Sequence, residues 1–99
     1  MYIETVSGEG KVQLNVEGKI DSNTSDEFQS TLLTAFQRSS NVVINMEKVD
    51  YISSAALRAF MLGSKTAQSK GGKLTLINVG NEVMNVLVTT GFDSLLNIR

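Results

Sequence analysis

Between Lys11 and Gly91 a strand-like run gives way to a helix-like stripe three times. That repeated switch of hydrophobic period, from two residues to about 3.6, constrains the fold more than any other feature. Val12, Leu14 and Val16 alternate with Gln13, Asn15 and Glu17, the mark of a strand with one apolar and one wet face over residues 11–17. A further strand over residues 2–7 precedes it, joined through Gly8-Glu9-Gly10. Gly18 then releases the chain into the polar loop Lys19-Ile20-Asp21-Ser22-Asn23. Thr24-Ser25-Asp26-Glu27 has the spacing of a capping box, and its two acids favour the positive end of a helix dipole. Phe28, Leu32, Ala35 and Phe36, with Leu33 at the margin, predict an amphipathic helix of about 12–15 residues, ended by Arg38-Ser39-Ser40.

The second switch starts from Asn41-Val42-Val43-Ile44-Asn45-Met46, whose near-continuous apolar character predicts a central strand covered on both faces. Leu57, Phe60, Met61, Ser64 and Ala67 form the next helical stripe, stopped by Gly71-Gly72. A strand over Lys73–Asn78 follows. Asn81 is the expected cap of a third helix, with Val83, Met84, Leu87 and Val88 as its apolar face and Gly91 as its stop. Phe92–Arg99 is expected to supply a short last strand. The order β-β-α-β-α-β-α-(β) predicts one α/β domain over residues 1–99: a mixed, mostly parallel sheet of four to five strands with helices packed against it.

Composition removes several functions. The chain has no cysteine and no histidine, so disulfides, thiolate or imidazole metal sites and a Ser-His-Asp triad are excluded, and no cofactor is expected. A net charge of −1 with scattered basic residues gives no footprint for nucleic acid or an anionic membrane. Met1-Tyr2-Ile3-Glu4 lacks the pattern of a signal peptide and no apolar run is long enough to cross a bilayer, so a soluble cytoplasmic protein is expected.

The stretch that carries chemistry is Asp50-Tyr51-Ile52-Ser53-Ser54-Ala55-Ala56-Leu57-Arg58, where two serines meet a strand-to-helix junction. The plainest reading makes one of them an N-cap. A nucleophile lacks its base. A phosphoacceptor fits the position, because a helix N-terminus tolerates anions, and a phosphate on Ser54 would disturb a docked partner rather than the fold. The small Ala55 and Ala56 would let such a partner come close.

These residues resemble a STAS domain of the anti-sigma factor antagonist family, the small bacterial anti-anti-sigma proteins. The family signature runs aromatic, aliphatic, Asp or Ser, the phosphorylated Ser, a small residue, Gly and Leu, and Tyr51–Leu57 follows it with Ala56 in the place of the glycine. Val16-Glu17-Gly18-Lys19-Ile20-Asp21 matches the Gly-x-hydrophobic-Asp loop, and Thr89-Thr90-Gly91-Phe92 resembles the helix-ending turn. The resemblance implies that the unphosphorylated protein binds an anti-sigma factor that is also a serine kinase, frees a sigma factor, is switched off by phosphate on Ser54, and is restored by a phosphatase. It also implies that Asp21, Ser22 and Asn23 share the partner surface with Ser53, Ser54, Ala55 and Ala56, while Leu57 belongs to the core. Ser53 is then the structural hydroxyl and Ser54 the target. The methyl of Ala56 is expected to hinder a close backbone approach, and members of the family often carry a further C-terminal helix beyond the point where this chain stops at Arg99. A second reading makes the chain a STAS accessory or scaffold subunit of a lipid-transport ATPase or a stressosome-like complex, with Ser54 only a helix cap. A nucleotide-binding domain is disfavoured by the lack of a glycine-rich phosphate loop.

Overall fold

In the computed structural model, which describes residues 1–99, β1 (Tyr2–Gly8) and β2 (Lys11–Ile20) form an antiparallel hairpin. The chain continues through α1 (Ser25–Arg38), β3 (Asn41–Ile52), α2 (Ser54–Ser69), β4 (Lys73–Ile77), α3 (Asn81–Thr90), a 3-10 turn over Phe92–Ser94 and β5 (Asn97–Ile98). The five strands lie side by side in chain order, and β2 through β5 are all parallel. Each crossover therefore steps the same way along the sheet. Right-handed connections that all step one way must leave their helices on one face.

That one-sidedness corrects the expectation for β3. Val42, Ile44 and Met46 are fully buried beneath the helices, whereas Val43 and Asn45 are only half-buried and Glu47 is exposed. The outer face carries a polar ladder instead of a second layer. Asn15 Nδ2 donates to Glu4 Oε1 at 2.9 Å, Asn45 Nδ2 to Asn15 Oδ1 at 3.2 Å, and Asn78 Nδ2 to Asn45 Oδ1 at 3.0 Å. The inner face packs a contiguous core in which the rings of Phe28 on α1 and Phe60 on α2 meet edge to face, with centroids 5.4 Å apart.

Two strands outrun their predicted ends. β2 passes through Gly18 and stops only at the buried Ile20. Gly18 has φ +101°, so it accommodates an irregularity within the strand rather than ending it. Opposite it, β3 carries two bulges: Asn15 and Glu17 face Asn45 and Lys48, and Gly18 and Lys19 face Val49 and Tyr51. Each bulge inserts one residue and so reverses the inside–outside phase. The buried side chains of β3 accordingly fall at Val42, Ile44, Met46, Val49 and Ile52, first two apart and then three. The strand expected over Asn41–Met46 in fact continues to Ile52, beyond the point where the alternation breaks.

The helix ends differ from expectation in the same local way. Thr24 precedes α1, but its hydroxyl makes no cap bond: it accepts from the Asp21 N–H and donates to the Lys19 carbonyl, both at 2.9 Å. The capping box is thus not formed, because its hydroxyl is spent on the preceding turn. α3 begins at Asn81 itself, with Gly80 at the cap position, and Val88 lies exposed while Val83 and Leu87 are buried. Gly91 closes α3 with φ +80°, as a left-handed C-cap. No helix is long and apolar enough to cross a membrane.

Of the eight glycines, Gly72 in the turn after α2 leaves the least room for a side chain. A Cβ on Gly72 would fall 1.7 Å from the Ser40 carbonyl oxygen, the acceptor of the Lys73 N–H that starts β4 beside β3. Gly71 next to it has φ +71° but open space around it. Urea denaturation should therefore find Gly72→Ala far costlier, at about 3 kcal/mol or outright failure to fold. Gly71→Ala should lose about 1–2 kcal/mol. Equal losses would mean that conformational freedom, not contact, selects both glycines.

Candidate functional site

In a parallel sheet the turns leaving the strand C-termini gather along one edge. Here Ile20 and Ile52 are register partners at the ends of β2 and β3. The Ser53 N–H donates to the Ile20 carbonyl at 3.0 Å, which ties the β3–α2 junction to the β2–α1 loop. One backbone bond thus brings Asp21, Ser22 and Asn23 beside Ser53 and Ser54, residues some 30 positions away in the chain. All seven residues that the sequence marks lie at or next to this edge.

The loop is built around Asp21. Its Oδ1 accepts from the Asn23 N–H at 2.9 Å and the Thr24 N–H at 3.2 Å, and its carbonyl accepts from the Ser25 N–H at 2.8 Å. This is an Asx turn, which fixes the loop without outside support. Ser22 and Asn23 project into solvent, whereas Asp21 is half-buried. Asp21 therefore shapes the surface, and its two neighbours present it.

Across the edge, Ser53 has the extended backbone of an N-cap, φ −104° and ψ 177°, and its carbonyl accepts from the Leu57 N–H at 3.3 Å. Its hydroxyl, expected to cap the helix, does not: Oγ is enclosed and has no hydrogen-bond partner. Ser54 is the first residue of α2 and is exposed, and no intramolecular bond engages its hydroxyl. The first turn of α2 also contains no acidic residue, while α1 has Asp26 and Glu27 there and α3 has Glu82. The positive end of the α2 dipole is the one that the sequence leaves uncompensated.

The alanines divide. Ala55 is half-buried at the rim, but Ala56 is fully buried, so it cannot itself touch a partner. Its methyl packs into the core, where it does not obstruct the surface as the sequence reading expected. Leu57 is 8% exposed and belongs to the core, as expected.

Sequence reasoning missed the outer flank of this edge. Tyr51 is 49% exposed, and Lys19 Nζ, its register neighbour on β2, lies 5.9 Å from the ring centroid. Such a pair is worth about 0.5–1 kcal/mol at an exposed site. The signal was an aromatic two residues before the serines, but without the two bulges nothing in the sequence assigns it to the solvent face.

The STAS domain family model matches residues 2–99. Among curated proteins, the anti-sigma-B factor antagonist of Bacillus subtilis is 23% identical over 96 residues, which cover 97% of this chain and 88% of that protein. Among solved structures, an anti-sigma factor antagonist from Mycobacterium paratuberculosis superposes with a TM-score of 0.87 at 16% identity, covering 98% of this chain and 83% of the other. SpoIIAA in its unphosphorylated form gives a TM-score of 0.77 at 12% identity, over 99% of this chain and 87% of that one. The phosphorylated form of the same Bacillus cell fate determinant gives 0.76 at 13%, over 99% and 91%.

The two hydroxyl environments predict opposite stability effects. Ser53→Ala removes an enclosed, unsatisfied oxygen and should leave the protein unchanged or more stable by up to about 1 kcal/mol, where loss of a true cap would cost about 1 kcal/mol. Asp21→Ala should cost about 1–2 kcal/mol, because it frees two loop amides at once. Thermal and urea unfolding of both variants distinguish these outcomes.

Proposed function

Because this chain belongs to the STAS domain family, we propose that it is an anti-sigma factor antagonist: a non-enzymatic switch protein whose unphosphorylated form binds an anti-sigma factor with serine-kinase activity and thereby frees a sigma factor. The observation that carries the reading is the start of α2, where an exposed Ser54 stands on a helix N-terminus with neither a capping hydroxyl nor an acidic residue in its first turn. The names of the relatives are consistent with it.

The physics of the switch follows from that position. A phosphate adds about −1.5 to −2 charges at neutral pH. At the head of α2 this charge meets free amides and an uncompensated dipole, so the fold tolerates it. The burden falls on a partner that has closed over the neutral hydroxyl and must now accommodate a doubly charged group. Ser22 and Asn23 extend the contact surface on the β2–α1 side, and Asp21 holds them in place. Removal of the phosphate by a phosphatase restores the binding surface, because nothing in the fold has to be rebuilt.

Titration calorimetry with candidate ATPase-fold serine kinases tests the proposal. Ser54→Ala should bind like the unmodified protein and take up no phosphate from ATP. Ser54→Asp should bind at least tenfold more weakly, about 1.4 kcal/mol, with unfolding otherwise unchanged. Wild-type affinity in Ser54→Asp would refute the switch. Co-purification with transporter subunits and no phosphate on Ser54 would favour the accessory-subunit reading instead.

A further inference from the structure

β3 pairs with β4 only as far as Asn45 opposite Ile77, then runs on to Ile52 with no strand on that side. α3 packs beside this extension, and the space between them forms two adjoining depressions of about 190 and about 330 Å³, both lined by Asp50, Glu82 and Val83. The floor is apolar: Ile52 and Val83 are 3% and 2% exposed, with half-buried Val86 beside them. The rim is acidic, since Asp50 and Glu82 are both exposed. Neither has a counter-charge, as the protein's one ion pair joins Lys48 to Glu17 at 4.0 Å. Tyr51, half-exposed, completes the lining.

We infer that this groove seats an arginine side chain of the protein that docks on the Ser54 rim. Three chemical demands meet in that residue. Its aliphatic stem covers an apolar floor while its head stays at the polar rim. Its planar guanidinium presents several donors to two carboxylates, which a lysine ammonium cannot match in geometry. It also stacks on an aromatic ring such as Tyr51, where it would take the place of the exposed Lys19 ammonium that lies 5.9 Å from the ring centroid. The groove is continuous with the proposed contact surface, because Tyr51 and Ile52 lead directly into Ser53 and Ser54. The choice of partner rests on the switch reading above. The chemistry of the groove does not.

The test has two parts. In ¹⁵N-HSQC titrations, N-acetyl-arginine amide should shift the Asp50, Tyr51, Glu82 and Val83 amides. N-acetyl-citrulline amide, of the same shape without charge, and N-acetyl-lysine amide should bind at least tenfold more weakly. Asp50→Asn with Glu82→Gln, two exposed substitutions that keep side-chain shape, should abolish the arginine shifts and leave the rest of the spectrum in place. Equal binding of citrulline, or shifts that do not localise to the groove, would overturn the site. In the second part, the same double variant should bind the serine kinase at least tenfold more weakly, with the site of phosphorylation unchanged by mass spectrometry. A groove that binds arginine in a variant of undiminished kinase affinity would overturn the partner assignment. Failure of the kinase to bind even the wild-type protein would overturn the switch reading and the partner with it, while the arginine titration would still decide the groove.

Discussion

The pairing of β2 with β3 is the constraint on which the rest of the molecule depends. It is the parallel ladder at the centre of the sheet, and its register runs from Val12 opposite Val42 to Ile20 opposite Ile52. Parallel pairing obliges the chain to cross over between these strands, which places α1 on the inner face and brings both exit turns to the same edge. The Ser53 N–H to Ile20 carbonyl bond is the last rung of that ladder. Without this register Asp21 and Ser54 would share no surface.

The two bulges in β3 serve both the core and the site. By reversing the side-chain phase twice, they keep Val49 and Ile52 buried while turning Tyr51 outward beside Lys19. On its other side β3 runs on past the end of β4 at Ile77, which leaves the groove against α3 open. The outer face of the sheet, left bare by crossovers that all step one way, is satisfied by amide-to-amide and amide-to-carboxylate bonds instead of by packing.

The helix termini divide by their electrostatics. α1 and α3 begin with acidic residues in their first turns, as a dipole favours. α2 begins with an exposed serine, an enclosed and unsatisfied serine hydroxyl, and alanines. An uncompensated helix start costs stability that the core of Phe28, Phe60 and their neighbours must supply. A site that alternates between a neutral hydroxyl and an anion is consistent with that arrangement, and it separates the control of binding from the integrity of the fold.

Hydrophobic period, glycine stops and helical stripes were legible in the residues themselves, because strand alternation and helix repeat are local properties of the chain. They were enough to give the element order, the mostly parallel sheet, the three helices, the C-cap at Gly91 and the serine junction. The capping box expected at Thr24 does not form, because a hydroxyl's choice among nearby partners depends on the turn before it, which only the folded loop fixes. Ser53 takes the expected N-cap position. The missing cap bond of its hydroxyl and the burial of the Ala56 methyl were not legible, for a related reason: whether a hydroxyl or a methyl at a helix start faces solvent or core depends on how α2 lies on the sheet. Local pattern determined what each segment is. Tertiary structure decided which face of it is seen, because burial and proximity arise only when strands distant in the sequence pair in register.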